Sequence, residues 1–215
     1  MISQLHYITQ SNPNISHLQA VENALKSGCK WIQLRIKDPP LDSVLDTALK
    51  ARQLCNAHQA KLIINDYPEI ALAVEADGLH LGLLDTSISE ARKIVGNKMI
   101  IGGTANTLGD VLKRVKERAD YVGLGPFRFT NTKKKLSPIL GIDGYRTILT
   151  EIKKMNINIP IIAIGGIELA DVAMIIDTGV YGIAVSGAIT YAANREVAVT
   201  EILQKLENSR QLKYS

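Results

Sequence analysis

Gln33, Arg35 and Lys37 alternate with Ile32, Leu34 and Ile36 in the run WIQLRIK. Along a strand the two sets face opposite ways. If the apolar set packs on a helix layer, an amide and two cations turn to the other face, where charge is costly unless something compensates it. A bound polyanion would do so; an internal salt bridge to a carboxylate on the next strand would serve as well. Further along, KLIIND ends in Asn65 and Asp66, and GLHLGLLD ends in Asp85. Neighbouring strands lie about 4.8 Å apart, so the two carboxylates can reach one point. Mg²⁺ is typically held by one or two carboxylates plus substrate phosphate oxygens. Asp85 also has a plainer reading, the cap of a helix starting near Ser87.

AIGGI and AVSG put Gly165, Gly166 and Ile167, and then Val185, Ser186 and Gly187, after two apolar runs near the C-terminal end. Both segments are small enough for backbone N–H groups to meet an oxyanion. Tight turns explain the glycines of either segment taken singly, and explain both together less well. Thr104 in IGGTAN has a hydroxyl that a cavity could use, although a lone Thr there is more often a turn or cap residue. His6, His17, His58 and His80 show no metal-ligand spacing; His80 is expected to face inward as a packed, hydrogen-bonded side chain. From Pro126 to Gly141 the chain reads PFRFTNTKKKLSPILG, longer than the roughly 2–6 residues common between a strand and its helix. It carries Thr130, Thr132 and Lys133 and reads as a lid, with a solvated insertion as the bland alternative.

These residues need a frame. Eight short β-like runs begin at Leu5, Trp31, Lys61, Asp77, Met99, Asp120, Ile159 and Tyr181. Apolar residues at three- and four-residue spacing between them predict helices over His17–Ser27, Asp42–Ala57, Leu108–Arg118, Tyr145–Met155, Glu168–Asp177 and Arg195–Leu206. The pattern predicts an α/β fold, a (β/α)8 TIM barrel, with residues 1–215 as one catalytic domain. Eight units in 215 residues make a lean version of a barrel that usually runs to about 250. An open doubly wound sheet fits less well, because no GxGxxG follows the first strand. In a barrel the chemistry sits at the C-terminal strand ends, and a phosphate site is frequent after strands seven and eight.

Composition narrows the class further. The chain is 46% hydrophobic, and its net charge of +4 arises from basic residues scattered among 21 acidic ones. There is no basic stripe interleaved with stacking aromatics, so a nucleic-acid partner is not expected. Cys29 and Cys55 fit neither a disulfide framework nor a metal spacing, and read as reduced, buried thiols. The start MISQLHYITQ lacks a secretory pattern, and no apolar run reaches the roughly 18 residues of a membrane span. The expectation is a cytoplasmic enzyme without membrane partners; the oligomeric state stays open.

Taken in order, QLRIKD, IIND, GLHLGLLD, IIGGTAN, GLGPFRFTNTK, IPIIAIGGI and GIAVSGAI resemble the thiamine-phosphate synthase family, also called thiamine-phosphate pyrophosphorylases. The likeness covers nearly the whole chain. It implies a Mg²⁺-dependent transferase of thiamine biosynthesis. Such an enzyme joins 4-amino-2-methyl-5-hydroxymethylpyrimidine diphosphate to a thiazole phosphate, giving thiamine phosphate and pyrophosphate. By position, it implies that the segment Gln33, Leu34, Arg35, Ile36 and Lys37, together with Asn65, binds the pyrimidine diphosphate. It makes Asp66 and Asp85 the Mg²⁺ ligands and brings Thr104 to the pyrimidine. Lys133 would reach the diphosphate, Thr130, Asn131 and Thr132 the thiazole phosphate, and Gly166, Val185 and Ser186 would form the pocket for that phosphate. Arg35, Lys37, Thr104 and Lys133 are the implied catalytic residues. The chain departs from the family pattern at Leu83 and Leu84, where Gln-Glu is frequent, at Arg128 and Phe129, where an aromatic and Pro are usual, and at Leu140. Asn106 stands where His often does. A sister enzyme, a thiazole tautomerase, would need a base that Asn106 cannot supply. A silent phosphate-binding barrel and a sugar-phosphate isomerase are the remaining rivals.

Overall fold

The computed structural model describes residues 1–37, 40–129 and 138–211, with side chains as far as residue 208. Among them, eight parallel strands close into a barrel in chain order. They are β1 (Leu5–Ile8), β2 (Trp31–Leu34), β3 (Lys61–Asn65), β4 (Gly78–Leu81), β5 (Ile100–Ala105), β6 (Tyr121–Leu124), β7 (Ile161–Ile164) and β8 (Gly182–Val185). The ring closes where β8 pairs with β1, Leu5 opposite Ile183. Each strand is shorter than its apolar run in the sequence. The residues trimmed at the C-terminal ends are the ones that bear chemistry: β2 stops before Arg35 and Lys37, β3 before Asp66 and β8 before Ser186. They therefore stand above the last ladder bonds, on the rim.

The outer layer contains α1 (His17–Lys26), α2 (Leu41–Ala57), α3 (Pro68–Ala73), α4 (Ile88–Val95), α5 (Leu108–Lys116), α6 (Gly141–Lys154), α7 (Val172–Asp177), α8 (Gly187–Thr190) and α9 (Arg195–Gln211). Ser16, Ser87 and Thr107 start α1, α4 and α5 with reciprocal capping boxes, which satisfy N–H groups that the helix itself leaves unbonded. The single helix expected over Glu168–Asp177 is divided, with a 3₁₀ turn at Leu169–Asp171 ahead of α7. The Asp171 carboxylate accepts the Glu168 N–H at 2.8 Å and so tightens the first turn. Among the described residues no helix is long and apolar enough to cross a membrane.

Alternation along the strands builds two cores. Outward residues such as Ile32, Leu34, Leu62 and Ile64 pack on the helices. Inward residues Ile8, Trp31, Ile63, Tyr121, Ile162 and Ala184 form the second core, whose lower part, around Trp31 and Tyr121, is the barrel floor. Within that floor the His6 ring stacks on Trp31 at 4.4 Å and meets Tyr121 edge-on at 5.1 Å. The His6 Nε2–H donates to the Ser3 carbonyl at 2.9 Å. Burial, aided by nearby His80, brings its pKa down to about 3, against the pull of the Ser3 bond. Tyr121 has room only because Gly102 on the next strand has no side chain: a methyl there would overlap the ring. Above the floor the inward residues become polar, with Gln33, Asn65, His80 and Thr104 all buried.

At the opposite end of the barrel two clamps repeat. Arg52 of α2 donates to Asp77 at 2.6 Å and to the Ala60 carbonyl at 3.3 Å, while Asp77 accepts the Leu62 N–H at 2.8 Å. In the same manner Arg92 of α4 donates to Asp120 at 2.5 Å and to the Met99 carbonyl, while Asp120 accepts the Ile101 N–H at 2.7 Å. Each clamp ties a helix to the strand after it and to the turn before the following one.

Two outcomes test this packing. Gly102→Ala should cost about 1–3 kcal/mol in urea denaturation by overfilling the floor. By contrast Gly109→Ala, at an open position of α5, should be neutral or stabilising by up to about 1 kcal/mol. His6 binds its proton at the ordinary value of 6.5 when unfolded and at about 3 when folded, so the unfolded chain binds more protons between those values. Stability should therefore fall as pH is lowered through that window, and His6→Phe should flatten the slope relative to the parent chain.

Candidate active site

A cavity of about 610 Å³ opens at the C-terminal ends of the strands, lined by Gln33, Arg35, Asn65, Thr104, Gly166, Val185 and Ser186 among others. Gln33 and Arg35 enter it because β2 turns Leu34 and Ile36 the other way. Those two side chains pack in the helix-facing core, so a ligand in the cavity could meet these two residues only through their backbone. The Arg35 N–H donates to Thr9 Oγ1 at 3.0 Å, and Thr9 is hydrogen-bonded to His17 Nδ1 at 2.9 Å. Burial and the charge of Arg35 lower the pKa of His17. Asn65 is buried in the wall, and its Nδ2 has no partner among the described residues. An unpaired buried amide donor is expensive.

Asp66 follows in a left-handed backbone conformation, φ 74°. This conformation is disfavoured for residues with a side chain, although Asp tolerates it better than most. Its carboxyl group lies within hydrogen-bonding reach of Asp85 and pairs with Lys37. Burial first, and then Asp85, push the pKa of Asp66 up to about 6 against the pull of Lys37. Burial would raise Asp85 too, but the bonds from Asp66 and the Gly82 N–H, with Lys37 nearby, hold it below the ordinary carboxylate range. The Gly82 bond is 2.6 Å long. The helix-cap reading of Asp85 does not hold, since Ser87 caps α4 with Glu90 as its partner. The salt-bridge account of the strand-two cations is realised for Lys37, whose partner is a carboxylate from the adjacent strand. Among the described residues no third His, Cys, Asp or Glu gathers at the two carboxylates.

The opposite wall of the cavity is built around a backbone turn, with Arg128, Phe129 and Glu168 beside it. Gly165 and Gly166 have φ of 99° and 70°, which a side chain would strain. The Gly165 carbonyl accepts the Arg128 N–H at 3.0 Å, and the Gly166 carbonyl accepts Arg128 Nη1 at 3.0 Å. In a trans peptide the N–H points opposite to the preceding carbonyl, so the Gly166 and Ile167 N–H groups point away from Arg128. On the adjoining strand Val185 ends β8, and the Ser186 hydroxyl donates to Gln10 Oε1 at 3.0 Å. The first N–H groups of α8 follow, with no intrahelical acceptor. Thr104 Oγ1 lies 3.1 Å from His80 Nε2, so His80 is the hydrogen-bonded packed residue its sequence context suggested. Thr130, Asn131, Thr132 and Lys133 lie outside the described residues.

Two supporting arginines escaped sequence reasoning. Arg114 of α5, 1% exposed, donates to the carbonyls of Thr104 at 3.0 Å and Gly82 at 2.8 Å and pairs with Glu117. It thereby joins the ends of β4 and β5. Its one sequence signal is a charge three residues after Val111, on the apolar stripe of the helix. Arg128 bonds both oxygens of Asp171 at 2.8 Å and fastens the start of the long β6–α6 connection to the Gly165–Gly166 turn.

Comparisons with known proteins point to one family. The family model described as thiamine monophosphate synthase matches residues 5–189. The thiamine-phosphate synthase of Phocaeicola vulgatus is 47% identical over 94% of this chain and 97% of its own. That of Flavobacterium psychrophilum is 48% identical over 96% of this chain and all of its own. A solved thiamine phosphate pyrophosphorylase from Pyrococcus furiosus superposes with a TM-score of 0.83 at 31% identity, covering 96% of each chain. In sequence and in fold, therefore, the chain belongs to the thiamine monophosphate synthase family of transferases.

Proposed function

We propose that the protein makes thiamine phosphate by joining 4-amino-2-methyl-5-hydroxymethylpyrimidine diphosphate to a thiazole phosphate, with release of pyrophosphate. The observation that carries this reading is the buried, unpartnered Asn65 Nδ2 beside Arg35, Lys37 and a carboxylate pair. A phosphate oxygen is the acceptor such a donor lacks. The Gly165–Gly166 turn across the cavity supplies a second anion site of a different kind, and two phosphorylated substrates need two.

The donor set suits Mg²⁺. Asp66 and Asp85 offer hard oxygen donors side by side, and burial first, then the nearness of Asp85, makes Asp66 resist ionisation, a cost that a divalent ion would offset. When bound, Mg²⁺ would supply positive charge to the departing diphosphate and complete its shell with phosphate oxygens. The protein's own part is electrostatic. Arg35 and Lys37, with Lys133 from the long connection, offset the charge that builds on pyrophosphate as the carbon–oxygen bond ionises. One well-placed donor is typically worth about 3 kcal/mol in such a role. Gln33, Asn65 and Thr104 orient the pyrimidine, whose amino group feeds electron density toward the methylene carbon. Thr130, Asn131, Thr132, Gly166, Val185 and Ser186 hold the thiazole phosphate so that the ring nitrogen attacks that carbon. The nitrogen lone pair is free at neutral pH, so no base is needed. A proton-transferring tautomerase would need one, and Asn106 is spent donating its amide to the Gly125 carbonyl.

Purified protein mixed with both substrates and Mg²⁺ should release thiamine phosphate and pyrophosphate in equal amounts, followed by phosphorus NMR; no product would sink the reading. Excess chelator should abolish turnover and added Mg²⁺ restore it. Arg35→Ala should lower kcat about a hundredfold or more with unchanged thermal unfolding. Ser186→Ala should mainly raise KM for the thiazole phosphate.

A further inference from the structure

We propose that His80 is a positioning residue: locked in one tautomer by Tyr121, it holds the Thr104 hydroxyl as a donor into the cavity, selecting a ring with an acceptor nitrogen at that edge. The proposal rests on the reading of the cavity as the pyrimidine diphosphate site.

The chain of hydrogen bonds starts in the barrel floor. Tyr121 is 1% exposed, enclosed by Trp31, His6 and the gap at Gly102, and burial raises its pKa far above the ordinary value. It therefore keeps its proton. Among the described residues the hydrogen-bond partner of that hydroxyl is His80 Nδ1, at 3.0 Å. A buried hydroxyl proton seeks an acceptor, so Nδ1 presents its lone pair and the ring hydrogen resides on Nε2. Nε2 lies 3.1 Å from Thr104 Oγ1, which accepts. The reverse tautomer would point Nδ1–H at the phenol oxygen and leave the phenol proton stranded in an apolar floor.

With one lone pair of Thr104 engaged by His80, its own hydrogen is free to be given elsewhere. Thr104 is on β5, where no helical carbonyl lies four residues back to receive it, and it lines the ligand cavity together with His80 and Asn65. Gly123 leaves the space that the His80 ring fills: a methyl there would stand 3.1 Å from Cε1. The ring is thus confined by packing as well as by bonds at both nitrogens. A heteroaromatic nitrogen satisfies a fixed donor, whereas a C–H at the same edge leaves it unpaired, and sites built on such a bond discriminate strongly.

Long-range nitrogen–proton NMR of histidine-labelled protein reads the tautomer without any substrate. The expected spectrum shows His80 with bare Nδ1 and protonated Nε2, and Tyr121→Phe should admit the other form; Nδ1–H in the parent protein would overturn the proposal. In kinetics, His80→Leu should raise KM for the pyrimidine diphosphate at least tenfold and leave KM for the thiazole phosphate unchanged. His80→Gln, whose amide can stand near the Nε2 position, should recover most of the loss. Equal rises for both substrates, or no recovery with Gln, would reduce His80 to a packing residue. The two pyridine analogues, each with one ring nitrogen replaced by CH, complete the test. One of them should bind at least tenfold more weakly than the pyrimidine to the parent protein and equally well to Thr104→Val. If the parent protein makes no thiamine phosphate, the functional reading fails and ring selection falls with it, while the NMR result still decides the tautomer.

Discussion

A closed parallel barrel has no edge, and every second residue of every strand must enter a space of fixed width. This constraint governs the whole molecule. Large rings at Trp31, Tyr121 and His6 fill the lower part only because Gly102 yields room, as Gly123 does for the His80 ring above them. The upper part, left to Gln33, Asn65, His80 and Thr104, cannot be filled by apolar packing without giving up its polar groups. The floor is therefore apolar and closely packed, and the mouth is polar. The same alternation that seals the one creates the other.

Charge follows from this geometry. Lys37, Asp66 and Asp85 converge because β2, β3 and β4 are neighbours whose ladders end at similar heights. Two carboxylates within reach of each other, with one lysine paired to Asp66, form a group that a divalent ion and a polyanion together would neutralise better. Across the cavity a turn of two positive-φ glycines presents N–H groups while Arg128 occupies the carbonyls. On the proposed reading the two anion sites differ in kind, and that difference would keep two phosphorylated ligands from exchanging places.

Much of this was legible in the sequence wherever the information is local. Period-two alternation placed Gln33 and Arg35 inside, and paired glycines after an apolar run marked the backbone-lined turn. What escaped depends on contacts between distant segments. Arg114 looks like one more helix-surface cation until β4 and β5 supply the carbonyls it bonds. Arg128 looks like a departure from a motif until Asp171, 43 residues on, accepts both of its hydrogen bonds. The short α3 begins with a proline and has too few residues for helical periodicity to show. Asp85 looks like a helix cap until Ser87 and Glu90 take that place.

The Arg52–Asp77 and Arg92–Asp120 clamps lie at the end of the barrel remote from the mouth. Each grips a full strand–helix–strand unit by the start of its strands, about forty residues from the other. Such rivets add cohesion in the half of the molecule remote from the cavity, while the opposite half holds a left-handed aspartate, crowded like charges and an idle amide. Ligand chemistry tends to require such discomforts, and a fold anchored from below can hold them ready without coming apart.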